Sequence, residues 1–97
     1  GSPVLQPLLD ANASGPLTVS EIRTFFIDEM GDSLTGEQRE CLLEEVEKLA
    51  RNAGDPETLD PASVEFLSAE TWSQLDAFGR RLILAQSLTT KAIFVCD

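Results

Sequence analysis

Apolar side chains recur at helical spacing along most of this chain. Val19, Ile22, Phe25, Phe26 and Met30 fall on one helix face. Thr18 stands where an N-cap belongs, and Glu21 three positions on completes a capping box. Gly31-Asp32 stops this first helix. A second helix starts after Thr35, with Gln38 in the capping-box place. Leu42, Leu43, Val46, Leu49, Ala50 and Ala53 make its apolar stripe. Glu44 with Lys48, and Glu47 with Arg51, are acid-first pairs four apart on its wet face. Gly54 is the expected stop. After a loop over 54–59, Asp60 caps and Pro61 opens a short third helix carrying Val64, Phe66 and Leu67. Ser68 caps a fourth, whose inner face is Trp72, Leu75, Phe78, Leu82 and Ala85. Gly79 weakens it locally. Residues 91–95 are β-branched and aromatic and predict a short terminal strand. The pattern as a whole predicts an all-α fold.

The two ends depart from this pattern. Residues 1–2, Gly-Ser, read as a tag remnant. Pro3 and Pro7 limit the apolar stretch 3–9 to a short, distorted helix at best. The expected layout is one helical domain over 3–88 and an extended tail over 89–97, leading to a neighbouring domain of a longer protein.

Charge narrows the partners. Seven basic side chains face 17 acidic ones, a formal charge of −10 in 97 residues. Such a surface repels phosphate backbones and anionic lipid, so nucleic acid is not an expected partner. No run of about 18 apolar residues is present, so no membrane insertion is expected. With no histidine in the chain, Ser-His-Asp and Cys-His catalysis and most zinc sites drop out. An acidic dyad for hydrolysis needs two carboxylates held about 5–10 Å apart, and nothing in the sequence singles out such a pair. No catalytic residue is assigned. Two cysteines, Cys41 and Cys96, are too few for a disulfide framework. They read as free thiols of a cytoplasmic protein.

One loop carries candidate chemistry. Residues 10–21 fit a twelve-residue calcium loop, with Asp10 at position 1, Asn12 at 3, Ser14 at 5, Gly15 at 6, Pro16 at 7, Leu17 at 8, Thr18 at 9 and Glu21 at 12. A hard cation takes six to eight oxygens at about 2.3–2.6 Å. Alternating positions aim Asp10, Asn12 and Ser14 at one centre, and Gly15 permits the sharp turn. Pro16 offers its carbonyl, Thr18 its hydroxyl, and Glu21 closes the sphere with two oxygens. Only Asp10 and Glu21 are anionic, so calcium binding is expected to be weak, in the range of about 10⁻⁴ to 10⁻³ M. A second loop over 52–63 has Asn52, Gly54, Pro56 and Ser63 in its ligand places and should bind nothing. Its Leu59 should pair with Leu17 in a two-stranded rung that ties two helix-loop-helix units together.

This pattern resembles the EF-hand superfamily, most closely the degenerate EF-hand-like lobe of phosphoinositide-specific phospholipase C. The resembling stretches are PLTVSEIRTFF, LTGEQRECLLEEVEKL and TLDPASVEFLSAETWSQLD, within about residues 16–76. The tail TTKAIFVCD does not reproduce the histidine-containing lead-in to that family's catalytic barrel. The resemblance implies an EF-hand-like pair of helix-loop-helix units plus a further C-terminal helix. It also implies a monomeric scaffold lobe of a signalling protein that braces a neighbouring domain or protein partner. The alternative is a helical-repeat fragment for protein–protein contact, with no metal site. Phe25, Phe26, Phe66, Trp72 and Phe78 are expected to fill the core. Arg80-Arg81, the one basic doublet, is expected to pair with acidic residues of the same fold.

Overall fold

The computed structural model describes residues 15–97, all of whose regular elements are helical. The first helix, α1, spans 19–30 and is made of three pieces. Val19–Ile22 is α-helical, Arg23–Ile27 is π-helical and Asp28–Met30 is α-helical again. Thr18 caps it as the sequence predicts, with both halves of the capping box formed through Glu21. The π stretch was not legible in the periodicity. Five residues turn about 500° in an α-helix, so Ile27 would sit well around the helix from Ile22. In the wider turn the Asp28 amide donates to the Arg23 carbonyl, five residues back. Residue i+5 is thereby brought beneath residue i, and Ile22 and Ile27 are both 0 % exposed.

Helix α2, Gly36–Ala53, keeps the predicted capping box of Thr35 with Gln38. It ends at Gly54, whose φ of 75° favours glycine. Leu42, Val46 and Ala50 are its buried positions, with Leu43, Leu49 and Ala53 half-buried beside them. On the exposed face Arg51 pairs with Glu47 at 2.8 Å, as the spacing predicts, whereas Lys48 reaches Glu45 at 3.6 Å rather than Glu44.

The next stretch differs from expectation. Asp60 caps and Pro61 opens only a 3₁₀ turn, Pro61–Ser63. Val64 is extended, and Phe66 adopts a left-handed φ of 67°, so the predicted third helix is absent. The predicted fourth helix is two. Ser68 caps α3, Ala69–Ser73, which buries Trp72. The chain then breaks, and Asp76 caps α4, Ala77–Cys96. The Asp76 carboxylate accepts from the Gly79 amide at 2.7 Å. Gly79 therefore lies in the first turn of a new helix, not in the weak middle of an old one.

Two further expectations are corrected here. Residues 91–95 are not a strand, and 89–96 are not an extended tail, because α4 runs through them to Cys96. Strand propensity is weak against a good helical face. Ala85, Leu88 and Ala92 bury one side. Thr89 and Thr90 hydroxyls donate to the carbonyls of Ala85 and Gln86 at 2.8 and 3.0 Å, which fits β-branched threonine into a helix. The cysteines are not free thiols either. Cys41 and Cys96 form a disulfide with a Cα–Cα distance of 5.9 Å. Fifty-five residues separate them, and only the antiparallel packing of α2 against α4 brings them together.

Leu17 from the loop, Ile22 and Ile27 of α1, α2, Trp72 of α3 and α4 share one core, against which Leu59 is half-buried. Among the described residues there is no strand, and no backbone hydrogen bond joins Leu17 to Leu59. The two leucines meet the same core without forming a rung. Phe25, Phe26 and Phe78 pack edge-on at its margin, with centroids 6.3 and 6.2 Å apart. Phe66 is not a core residue, being 54 % exposed.

Candidate functional site

The expected calcium loop supplies the most developed polar site among the described residues. Asp10, Asn12 and Ser14 lie outside those residues. Pro16, Thr18 and Glu21 are described, and all three face or support one cation, which is the guanidinium of Arg81. Its Nε donates to Glu21 Oε2 at 2.9 Å and its Nη2 to Glu21 Oε1 at 2.5 Å. Its Nη1 donates to the Gly15 carbonyl at 2.8 Å, and Nη2 also approaches the Pro16 carbonyl at 3.5 Å. The fork of Arg81 thus engages both oxygens of the carboxylate in the bidentate arrangement that suits the two planar groups.

Both side chains are almost wholly buried, at 5 % and 8 % exposure. An isolated charge there would cost several kcal/mol, by the order of magnitude of ion desolvation. The surroundings offset that cost by satisfying the remaining lone pairs. The Thr18 amide donates to Glu21 Oε1 at 3.1 Å, and the Thr18 hydroxyl accepts from the Glu21 amide at 3.1 Å. Among the described residues no buried side-chain nitrogen or oxygen lacks a partner. Gly15 takes a φ of 79°, the turn the loop reading requires of it. That turn aims its carbonyl at Arg81.

Glu21 and the Pro16 carbonyl are therefore brought together, as the loop reading predicts, but around a side chain of this same chain. A calcium ion and the Arg81 guanidinium cannot hold the two Glu21 oxygens at once. In this arrangement the described loop residues do not fit a divalent ion. The described residues also contain no cluster of three or more acidic or thiol side chains placed to hold a metal. Sequence reasoning placed Arg81 in an internal ion pair but missed its partner, 60 residues away. The one available signal was that a buried face of α4 carries an arginine between apolar positions. Among the described residues the neighbouring Arg80 finds no carboxylate partner. It donates to the Trp72 carbonyl at 3.1 Å and lies over the indole, 5.3 Å from the ring centre.

A shallow cleft of about 240 Å³ opens on another face, between the end of α2, the 3₁₀ turn and α4. Leu49, Val64 and Leu88 form its apolar wall, and the Lys91–Glu65 ion pair, 2.6 Å long, sits at its mouth. It contains no nucleophile paired with a base. No described helix is long and apolar enough to cross a membrane. No family model, curated protein or solved structure matches the chain.

Proposed function

We propose that this chain is a non-catalytic scaffold module that makes protein or interdomain contacts and needs no calcium to fold. The observation that carries the reading is the Arg81–Glu21 pair. It commits Glu21, the one buried carboxylate among the described residues, and the loop carbonyls to internal structure, with a tethered cation in place of a dissolved one. The lack of a backbone rung between Leu17 and Leu59 favours the helical contact fragment over the EF-hand lobe as the form this scaffold takes. The disulfide changes the setting of the proposal. Such bridges persist in oxidising compartments and are rare where glutathione keeps thiols reduced. We therefore place the module in an oxidising compartment or at a cell surface, not in the cytoplasm.

Calcium titration of the purified oxidised chain tests this. Addition of about 10 mM calcium, well above the weakest dissociation constants of such loops, should leave the amide spectra of residues 15–21 and the thermal midpoint unchanged. Saturable shifts confined to that loop would overturn the reading. In Arg81→Gln the carboxylate is released, and any gain of calcium response there identifies the guanidinium as the competitor.

A further inference from the structure

The last turn of α4 is helical although its own residues favour it poorly. Ile93, Phe94 and Val95 are 41 %, 68 % and 52 % exposed, so they bury little against the core. Two of them are β-branched and one is aromatic, and such residues rank behind alanine and the straight-chain residues in helix propensity. The turn carries no basic residue, and Asp97 stands at its C-cap, where the helix dipole favours a cation. No ion pair of the described residues reaches 93–97. Two attachments hold the turn. On one side of the helix Phe94 stacks on Phe66, with ring centres 5.6 Å apart, and Phe66 is itself 54 % exposed. On the side toward α2, Cys96 is bridged to Cys41. Beside the bridge Ile93, Cys96 and Asp97 close a hollow of about 40 Å³ with Leu34, Gln38 and Leu42. Leu42 is 1 % exposed there.

Both bridge cysteines are half-buried rather than sealed in the core. We infer that the Cys41–Cys96 bridge is a redox latch on this turn: a dithiol opens it, residues 93–97 leave the helix, and Leu34 and Leu42 are uncovered. A thiolate of the dithiol attacks one bridge sulfur, a mixed disulfide forms, and the other bridge sulfur departs as a thiolate. The second thiol then closes the reagent into its own disulfide and releases the remaining cysteine. Two electrons and two protons pass to Cys41 and Cys96. Charge selects the reagent. Glu37, Glu44 and Glu45 stand three or four positions from Cys41 on α2 and so neighbour it on the helix surface. Among the described residues only Glu45 of these three has a basic partner, Lys48 at 3.6 Å. Asp97 directly follows Cys96. An anionic thiol such as glutathione is repelled there, and either leaving thiolate forms among negative charges. A dithiol with no negative charge near its sulfurs is the class that opens the latch. The oxidising setting proposed above keeps the latch closed until such a dithiol arrives, and the latch does not depend on the contact role.

The test compares the full chain, oxidised and after reduction by dithiothreitol, by amide hydrogen exchange and NMR. On reduction the amides of 93–96 should exchange about tenfold faster, while those of Val46, Ala50, Leu84 and Leu88 keep their protection. Cross-peaks between the Phe66 and Phe94 rings should vanish, and the methyl signals of Leu34 and Leu42 should shift. Cys41→Ser with Cys96→Ser should reproduce this pattern with no reductant present. Adding Ile93→Ala and Val95→Ala to that variant should restore protection of the turn about fivefold, because alanine is the better helix former. Unchanged exchange over 93–96 on reduction would overturn the inference, since the turn would then hold without its bridge. Loss of protection throughout the chain would overturn it as well, making the bridge a staple of the whole fold. Per thiolate, cysteamine should attack the bridge faster than 3-mercaptopropionate at about 20 mM salt, and the gap should narrow at about 0.5 M. Equal rates at low salt, or faster attack by the anionic thiol, would overturn the assigned class of reductant.

Discussion

At the residue scale, Glu21 and Arg81 can be removed singly or together, and the two experiments should give opposite answers. Arg81→Met leaves the carboxylate buried with no counter-charge, and a loss of about 3–5 kcal/mol in urea unfolding is expected. Adding Glu21→Met to that variant removes both charges and should recover much of the loss, because well-packed apolar replacements for buried pairs are often neutral. A double variant no better than Arg81→Met would mean that the loop carbonyls of Gly15 and Pro16, not Glu21, depend on the guanidinium. Thr18 and Glu21 were legible as a capping box because that motif is local. Arg81 as their partner was not legible, since nothing in a linear pattern links positions 60 residues apart.

At the scale of elements, the caps and the strong stripe of α2 were readable from spacing alone. What failed were the places where tertiary contact overrides a local preference. The residues 91–95 favour a strand in isolation, but Ala92 at 0 % exposure and the bridge at Cys96 hold them in α4. The π turn of α1 answers to the need to bury Ile22 and Ile27 together, which no periodicity encodes. The bridge between α2 and α4 closes a loop of 55 residues. On the chain-entropy model such a loop is worth about 4 kcal/mol. Unfolding in urea with a non-thiol reductant present should therefore show a loss of unfolding free energy of about that size. Cys96→Ser should match the reduced protein and show no further response to reductant. A reduced protein as stable as the oxidised one would place the end of α4 outside the cooperative unit.

At the scale of the molecule, the formal charge of −10 sets how the fold responds to its solvent. Most acidic groups are exposed and lie within a few Debye lengths of one another at low salt, so they repel. Raising sodium chloride from about 20 mM to 0.5 M shortens that length severalfold and should raise the thermal midpoint by several degrees. About 1 kcal/mol corresponds to 4–8 °C for a domain this small. The Arg81–Glu21 pair is shielded from water and should not offset this gain. A midpoint that falls with salt would mean that exposed pairs such as Arg39–Asp28 matter more than the repulsion.

The position of Cys96 at the last turn of α4 has a mechanical corollary. A pull on the polypeptide beyond residue 96 passes through sulfur into Cys41 and bypasses the whole covalent circuit between them. Stretching the oxidised molecule from its two ends would leave that circuit slack. The contour hidden in this way is roughly 190 Å, taking about 3.5 Å per residue over 55 residues. Force spectroscopy should record that missing length in oxidised molecules and its return after reduction. If the chain sits in a load-bearing array outside the reducing cytoplasm, this tether makes its far end an inextensible handle.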